Sequence, residues 1–344
     1  MKQIFYNNNF DRNLTKEFLR QIRNATQWIK ACNLLFDDPD IHKELLSALQ
    51  RGVALFILTN LDGVLGEVYT SKSTGRKQHA KQSTQNLFHS DSLKLLYQAG
   101  AHISGLDGLH AKFLLTGTGE GMITSLNFTP NSVGKISEIG VQLSGKVFDE
   151  AEEVFDHLFL RPDKYQFASH EYHFSYERPS DIIDCEQLSG LPNLKMTLGP
   201  TKRGQGNALS ECNIHNLRDE IFDIINSTER DENLYIATYS FDPKATDSDG
   251  KTLEEALLNA KNRGVRLHIV MRDEKRQFIK GVFTHCHEDN HAKVIMNSNR
   301  GILFTGNLTE ESFESGFDIG VILTPEQIYE AKKFINLLIE QTKR

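Results

Sequence analysis

The feature that most restricts the fold of this sequence is an internal repeat of polar residues. A His-x-Lys tripeptide is followed by an asparagine and, eleven positions after that asparagine, by a carboxylate, and the whole pattern occurs twice. Pairs from the asparagines onward are 180 residues apart and the earlier pairs 181, so one residue has been lost in an intervening turn. The matched pairs are His110/His291, Lys112/Lys293, Asn127/Asn307, Glu138/Asp318, Gly140/Gly320 and Val141/Val321. Such a repeat predicts two copies of one unit and a duplicated half-site.

Helices and strands are predicted in the same order in both halves, from apolar residues at helical spacing and from short apolar runs typical of buried strands. The first half has helices at 14–28 and 41–49 and strands at 29–36 and 53–60; the second has helices at 217–225 and 252–264 and strands at 233–241 and 266–272. Closing helices are expected at 147–159 and from Pro325, and capping boxes at Thr252/Glu255 and Thr324/Gln327. We therefore expect an α/β fold of two domains, each a mixed β-sheet flanked by helices, packed about a pseudo-twofold with one shared active site.

The two halves differ by an insertion. From Gly52 to His110 is 58 residues, whereas the corresponding segment from Gly264 to His291 has only 27. The predicted domains are 1–160, with the insertion at 60–100, and 197–344, joined by an aromatic-rich connection at 161–196. Within the insertion, residues 68–90 carry no carboxylate and four basic residues, which are Lys72, Arg76, Lys77 and Lys81. This segment is either a solvated loop or a loop that contacts a polyanionic substrate.

Composition sets further limits. No apolar run approaches the ~20 residues that span a bilayer, and the first residues do not resemble a signal peptide, so a cytoplasmic location is expected. The four cysteines are scattered without a CxxC pair and are predicted to be reduced thiols; they are Cys32, Cys185, Cys212 and Cys286. The formal net charge of −7 means that a polyanion would have to bind a local basic patch.

The repeated residues suit phosphate chemistry. Side chains two residues apart on a strand point to the same face, so each His-x-Lys pair projects together, as do Ser125 with Asn127 and Thr305 with Asn307. Each half thus offers an imidazole, an ammonium, a hydroxyl and a carboxamide. A carboxylate that accepts Nδ1–H, from Glu138 or Asp318, would fix the histidine tautomer and stabilise the imidazolium. One histidine would then act as the nucleophile and the other as the acid, and this chemistry requires no metal and no cofactor.

This double constellation resembles the motifs of the phospholipase D superfamily, in which His-x-Lys precedes a Gly-Ser-x-Asn-like strand and a Glu or Asp. The resemblance covers both halves and includes the tract 234–270. It implies a covalent phosphohistidine intermediate, with His110 as the nucleophile and His291 as the acid. It further implies that the lysines and asparagines bind phosphate and that the carboxylates orient the histidines; these residues are Lys112, Lys293, Asn127, Asn307, Glu138 and Asp318.

The sequence departs from the strict family pattern. The family has an Asp seven residues after each His, where this chain has Gly117 and Ser298. The usual Gly-Ser is replaced by Thr124-Ser125 and by Phe304-Thr305. Because both later carboxylates remain, the site is expected to be active.

Two other histidine patterns are weaker. His79-Ala80-Lys81 repeats the tripeptide but lacks the asparagine and the carboxylate at the later spacings, so it is interpreted as part of the basic insertion. The segment 284–291, THCHEDNH, resembles a metal cluster, but i, i+4 spacing does not bring ligands together in an extended segment. His285 or His287 is expected instead to line the entrance to the active site.

The expected substrate is nucleic acid, with DNA favoured over RNA, for a metal-independent nuclease that serves in bacterial restriction or defence beside an ATPase or helicase-type partner. Basic residues outside 68–90 that could line the cleft are Lys202, Arg203, Arg272, Lys275, Arg276 and Lys280. Two alternatives stay open: a phospholipase D-type hydrolase of lipids or small phosphodiesters, and a catalytically decayed nucleic-acid-binding module. The sequence also leaves a homodimer open.

Overall fold

The computed structural model describes residues 4–8, 10–60, 84–106, 108–160, 184–200, 212–272, 279 and 281–342, with residues 84–87 described by their backbone alone. These residues form two seven-stranded mixed β-sheets that are flanked by helices. The predicted α/β fold is therefore confirmed. No helix in the described ranges combines the length and the apolar character needed to cross a lipid bilayer.

The first sheet and its helices come from the first half of the chain. In order, the elements are β1 (Ile4–Asn7), α1 (Asn13–Asn24), β2 (Trp28–Cys32), α2 (Pro39–Gln50), β3 (Ala54–Thr59), α3 (Thr84–Gln98), β4 (His102–Gly105), β5 (Phe113–Thr116), β6 (Glu120–Thr124), α4 (Pro130–Gly134), β7 (Glu138–Leu143) and α5 (Lys146–Phe159).

The second sheet follows a short helix, α6 (Cys185–Ser189). Its elements are β8 (Leu194–Gly199), α7 (Asn216–Ser227), β9 (Asn233–Thr238), α8 (Leu253–Asn262), β10 (Arg266–Met271), β11 (Thr284–Cys286), β12 (Val294–Met296), β13 (Gly301–Phe304), α9 (Glu310–Glu314), β14 (Gly316–Ile322) and α10 (Pro325–Thr342). Both predicted capping boxes are present, since Thr252 caps α8 with Glu255 and Thr324 exchanges hydrogen bonds with Gln327 at the start of α10.

The two sheets have the same strand order. The first is ordered β1-β7-β6-β5-β2-β3-β4, and the second, read from its β8 edge, is β8-β14-β13-β12-β9-β10-β11. Each strand of the second sheet thus corresponds to the first-sheet strand whose number is lower by seven, as β8 corresponds to β1 and β14 to β7. In both sheets the last three strands are parallel and the other pairings are antiparallel. The sequence repeat is therefore a repeat of the whole sheet.

The domains share a hydrophobic core. One cluster of buried side chains contains residues of both sheets, while a smaller cluster lies on the outer side of each domain. The closing helices cross between domains, because α5 contacts β8 and α10 contacts β1. Tyr6 of β1 stacks on Phe334 of α10 with ring centroids 5.0 Å apart. The apolar faces of both closing helices thus fix the two domains against each other.

The repeated glycines serve this packing. A Cβ on Gly140 would lie 2.6 Å from Leu14 Cδ1, and one on Gly320 would lie 2.9 Å from Leu217 Cδ1. Those leucines belong to α1 and α7, which occupy equivalent places on the two sheets. Glycine is therefore repeated because each helix lies directly on the strand that carries the site's carboxylate.

Some predicted boundaries were wrong. The helix predicted at 14–28 ends at Asn24, because Ala25 is extended and Trp28 begins β2. The edge strands β1 and β8 were not predicted, and β8 begins at Leu194, within the segment assigned to the connection. Both edge strands are short, and each pairs with a strand near the other end of its own domain. β1 pairs with β7, where Ile4 lies opposite Val141, and β8 pairs with β14.

The prediction of four reduced thiols is corrected by the structure. Cys185 and Cys212 form a disulfide with their Cα atoms 5.5 Å apart. Their separation of 27 residues carried no signal, because they meet only where α6 and the segment before Ile214 flank β8. Cys32, which is buried, and Cys286, which is partly exposed, are free thiols.

Candidate active site

The site is built where the two domains form β-bridges with each other. Leu109 bridges Phe317 in parallel, and Asn290 bridges Ser137 in the same way. The amide of His110 donates to the Phe317 carbonyl at 2.9 Å, and the amide of His291 donates to the Ser137 carbonyl at 2.9 Å. Each histidine is thereby held beside the first residues of the other domain's carboxylate strand.

The histidine–carboxylate pairs consequently cross between domains. His110 Nδ1 lies 2.9 Å from Asp318 Oδ1, and His291 Nδ1 lies 2.9 and 3.0 Å from the two carboxylate oxygens of Glu138. The carboxylates are almost fully buried, with 0% and 3% of their side chains exposed, whereas the His110 and His291 side chains are 27% and 12% exposed. An ionised carboxylate accepts Nδ1–H, so Nε2 of each ring carries the lone pair.

The hydroxyls of Ser125 and Thr305 hold these carboxylates. Ser125 Oγ donates to Glu138 Oε2 and accepts from the Ile139 amide at 3.0 Å. Thr305 Oγ1 donates to Asp318 Oδ1 at 2.8 Å and accepts from the Ile319 amide at 3.0 Å. Both hydroxyl residues are completely buried. The sequence pattern predicts that these hydroxyls face a phosphate, but in the structure they bind the carboxylates from behind.

The two lysines are buried beside the histidines. Lys112 Nζ donates to the His110 carbonyl, and Lys293 Nζ donates to the His291 carbonyl at 2.9 Å. Neither residue has measurable exposure. Two ammonium groups and two carboxylates therefore neutralise one another within the site, and each ammonium retains donor capacity for an anion.

The repeated asparagines contain polar atoms that lack a partner. Oδ1 of Asn127 and Oδ1 of Asn307 are both buried, and neither has a hydrogen-bond partner in the described part of the chain. Unsatisfied buried polar atoms are uncommon in folded proteins. Rotation of a carboxamide by 180° exchanges its acceptor and its donor, so each asparagine can direct a donor or an acceptor toward a ligand. Their equivalent position in both halves points to one ligand contacted from two sides.

Burial controls the ionisation of the histidines. The pKa of His291 is lowered from 6.5 to about 4, mainly by desolvation; Glu138 opposes this change, and the nearby Lys293 adds to it. The pKa of His110 is also lowered, first by desolvation and then by Lys112, against Asp318. Both imidazoles are therefore neutral near pH 7 in the ligand-free protein.

The charged partners respond in the same way. Burial is the largest single influence on Glu138 and on Asp318 and acts to raise the pKa of each. The paired histidine, the nearby lysine and the bound hydroxyl together outweigh it, so each carboxyl's pKa stays below its usual value. Desolvation lowers the pKa of Lys112 to about 8 and that of Lys293 to about 7. The carboxylates are thus ionised while the lysines lie close to their titration points.

The positions of the missing family Asp lie away from this chemistry. Gly117 follows β5, and a Cβ there would come within 3.0 Å of Gln27 Cβ. Ser298 lies in the turn between β12 and β13 and donates to Glu232. Seven residues of extended chain span about 20 Å, so both positions are remote from the histidines. The absence of Asp at positions 117 and 298 therefore leaves the histidines, lysines, asparagines and carboxylates of the site in place.

Tyr239, which was not predicted from the sequence, also belongs to the site. The ring of Tyr239, which is 38% exposed, meets the His291 ring edge-on at 5.2 Å. The Arg272 guanidinium lies 5.2 Å from the centroid of the same tyrosine ring, and its charge contributes to lowering the pKa of Lys293. Arg272 was a predicted cleft residue, whereas Tyr239 gave no signal because it stands at the end of an apolar strand.

Other predicted residues take different places. His285 and His287 hydrogen-bond Thr342 and Gln341 of α10, at 3.2 and 2.9 Å, so the expectation that one of them lines the entrance gains no support from these contacts. Outside the described residues lie the basic insertion with His79 and the remaining predicted cleft residues, namely Lys72, Arg76, Lys77, Lys81, Lys202, Arg203, Lys275, Arg276 and Lys280.

Comparison with known families gives a match for the first domain. A family model described as the PLD-like domain of cardiolipin synthase matches residues 18–159. The sequence has no significant match among curated proteins.

Two solved structures share the fold over nearly the whole chain. Phosphatidylserine synthase from Haemophilus influenzae Rd KW20 is 14% identical with a TM-score of 0.64, and the match covers 99% of this chain and 86% of that one. Polyphosphate kinase from Porphyromonas gingivalis is 12% identical with a TM-score of 0.56, covering 97% of this chain and 50% of that one. This chain thus spans half the length of that kinase. The first domain, residues 18–159, therefore matches a phospholipase D-like family model, and the second domain repeats the same sheet.

Proposed function

We propose that the protein is a phosphodiesterase that acts through a phosphohistidine intermediate and that its substrate is DNA. The observation that carries the chemistry is the crossed pair of buried carboxylates, each of which accepts Nδ1–H from the histidine of the other domain. This arrangement presents two Nε2 atoms to one site. Both carboxylates are occupied by imidazoles, so the reaction is proposed to proceed without a metal ion.

The first step forms the intermediate. Nε2 of neutral His110 attacks the phosphorus, and the P–N bond forms as the bond to the leaving oxygen breaks. His291, in its imidazolium form, donates the Nε2 proton to that oxygen. Lys112, Lys293 and the two asparagines stabilise the charge on the non-bridging oxygens.

The second step releases the product. Neutral His291 accepts a proton from water while the water oxygen attacks the phosphorus and the P–N bond breaks. His110 is regenerated neutral, and His291 is again protonated. The atoms and charges return to their starting state, with one water consumed for each phosphodiester.

The proton on His291 enters with the substrate. Because its pKa is about 4 in the empty site, the imidazolium is scarce at neutral pH. A bound phosphodiester places a negative charge beside the ring, and a nearby opposite charge favours the protonated form. Substrate binding is therefore coupled to proton uptake by His291, so His291 is protonated mainly when a phosphodiester is bound.

DNA is supported by the surface beside His291. An exposed aromatic ring with a guanidinium above it can stack on a base while the charge contacts the adjacent phosphate. Tyr239 and Arg272 provide this pair next to the proposed acid. The formal charge of −7 makes such a local contact necessary, since the whole surface does not attract a polyanion.

Lipid phosphodiesters form the second candidate, because the matched family model and one solved structure are described as enzymes of phospholipid synthesis. The two candidates are separated by incubating the protein in EDTA with single- and double-stranded oligonucleotides and, separately, with phosphatidylcholine vesicles. We expect cleavage of oligonucleotide that is abolished in His110→Ala. Hydrolysis of phosphatidylcholine without cleavage of nucleic acid would replace DNA by lipid as the substrate. Oligonucleotide binding without any cleavage would favour the decayed binding module.

The roles of the histidines are assigned by trapping with a substrate whose leaving group needs no proton, such as bis(p-nitrophenyl) phosphate. In His291→Ala the first step then proceeds, but hydrolysis lacks its base, so a phosphoenzyme accumulates and survives denaturation. His110→Ala forms none. Accumulation in His110→Ala and not in His291→Ala would exchange the two roles.

A further inference from the structure

A cluster of metal-binding side chains lies apart from the active site. It is formed by His157, in the last turn of α5, by Cys185, the first residue of α6, and by Cys212, which precedes the bridge between Ile214 and Leu198. One ring nitrogen of the histidine and the two sulfur atoms all lie within 4.8 Å of one another. His157 and Cys212 are buried and Cys185 is partly buried. Three separate segments thus direct nitrogen and sulfur donors to one point.

The donor set suits zinc. From Zn–S and Zn–N bonds of about 2.3 and 2.0 Å, tetrahedral geometry places neighbouring ligand atoms roughly 3.5–3.8 Å apart. Because the three donor atoms lie within 4.8 Å of one another, side-chain rotations can bring them to these separations once the disulfide is reduced. Thiolate and imidazole are the ligands that Zn²⁺ prefers in proteins. A disulfide needs no imidazole, whereas this arrangement supplies one within reach of both sulfurs.

We propose that His157, Cys185 and Cys212 bind Zn²⁺ when the two cysteines are reduced, with water as the fourth ligand. Binding releases the two thiol protons, and the Cys185–Cys212 disulfide is the oxidised form of the same cluster. No oxidant takes part in metal binding. The site shares no residue with the phosphodiester chemistry proposed above and is independent of it.

The position of the cluster indicates its role. It joins the closing helix of the first domain to the segments that precede and follow the edge strand of the second. A second link lies nearby, because Glu150 of α5 accepts hydrogen bonds from the Asn193 side chain at 2.6 Å and from its backbone amide at 3.1 Å. Zinc would therefore stabilise the packing of α5 against β8, which helps to hold the two half-sites together.

The proposal is tested on the whole chain, purified under reducing conditions and loaded with ZnSO₄. Metal content is measured by mass spectrometry of the desalted protein, and zinc release by a colorimetric chelator. We expect about one Zn²⁺ per chain, loss of this zinc in Cys212→Ser and in His157→Gln, and retention in Cys286→Ser. The last variant removes a cysteine outside the cluster.

His157→Gln is the decisive variant, because it leaves both cysteines able to form the disulfide. If Cys212→Ser does not fold, His157→Gln still distinguishes zinc binding by the cluster from disulfide formation. We expect this variant to lose zinc under reducing conditions and to keep the disulfide under oxidising ones. Full zinc binding by His157→Gln, or a reduced wild-type protein that binds no zinc, would overturn the proposal. Neither result bears on the cleavage assays, which report on the histidines of the active site.

Discussion

At the level of single residues, each imidazole is oriented by a carboxylate of the other domain, His110 by Asp318 and His291 by Glu138. The sequence identified both histidines and both carboxylates from their spacing, but spacing within a strand cannot show which carboxylate reaches which imidazole. The bridges at Phe317 and Ser137 decide this, since they hold each histidine beside the other domain's strand. The contacts of the buried Ser125 and Thr305 hydroxyls were not predicted for the same reason. The alternation of side chains along a strand gives the face on which each hydroxyl lies, but it does not show that the hydroxyl binds a carboxylate.

We predict that kcat/KM is largest at mildly acidic pH. The proposed reaction needs one protonated and one neutral imidazole, and both histidines have a pKa below the ordinary 6.5, that of His291 being about 4. As pH rises through these values the protonated form is lost, and above pH 7 Lys293 and then Lys112 lose charge. The maximum should therefore lie between about pH 4 and 6.5, whichever histidine is the acid. Steady-state rates measured across pH test this, and a maximum well above pH 7 would contradict it.

Removal of a hydroxyl behind a carboxylate should slow catalysis while leaving substrate binding almost unchanged. Ser125→Ala frees Glu138 to rotate and misorients His291, and we expect kcat to fall roughly tenfold or more, as for other residues that orient a catalytic group. Ser125→Thr keeps the hydroxyl and should restore much of the rate. Thr116→Val removes a buried hydroxyl that bonds Thr118 and Glu120, neither of which belongs to the site, and serves as the control. An unchanged kcat in Ser125→Ala would show that the hydroxyl has no positioning role.

Tyr239→Leu should weaken DNA binding more than it slows small-substrate hydrolysis. Stacking of one base on an aromatic ring contributes about 1–3 kcal/mol, so the Kd of a single-stranded oligonucleotide should rise about tenfold or more. Fluorescence anisotropy measures this, with hydrolysis of bis(p-nitrophenyl) phosphate as the internal reference. The matched control is Tyr329→Leu, another exposed tyrosine with a lysine beside its ring, but on α10. Equal loss toward both substrates would argue against a stacking platform.

At the level of elements, a glycine contact sets the distance between the domains. Gly316 begins β14 with φ +74°, and a Cβ at this position would lie 2.3 Å from the Gly108 carbonyl oxygen. The Phe317 amide donates to that same carbonyl at 3.0 Å. No side chain fits between these backbones, so this approach, and with it the Asp318–His110 pair, depends on glycine.

Gly316→Ala should therefore lower both stability and activity. A positive φ costs an alanine about 1 kcal/mol, and the clash with Gly108 adds to that. Gly250→Ala is the matched control, because its φ is +81° but nothing lies within 4 Å of the added Cβ. Thermal unfolding and kcat of the two variants are compared. If both variants lose the same small stability and keep full activity, the close approach at Gly108 is not required.

The sequence predicted those elements whose signals are local. The capping boxes and closing helices are fixed by residues a few positions apart, and they were found. The edge strands β1 and β8 were missed, because a short edge strand is stabilised by its neighbour and not by its own pattern. Helix α3, which lies in the predicted insertion, was not predicted either, because its apolar residues are not concentrated on one helical face.

For the whole molecule, a core built from both domains predicts cooperative unfolding. Side chains of both sheets pack in one cluster, and each closing helix contacts the other domain. Trp28 is the single tryptophan and lies in the first sheet, so its fluorescence reports on that domain. We expect its denaturation midpoint to coincide with that of far-UV circular dichroism, which reports on both domains. Two separated transitions would show that the domains are stable independently.

The crossing of the two histidine–carboxylate pairs also affects the protein while it is being made. On a ribosome that has synthesised residues up to 160, His110 and Glu138 are present, but neither has its partner. The last member of the set, Asp318, is added 208 residues after His110. A nascent chain therefore cannot complete the site early, and the paired histidines and carboxylates come together only after both halves have been translated and have folded against each other.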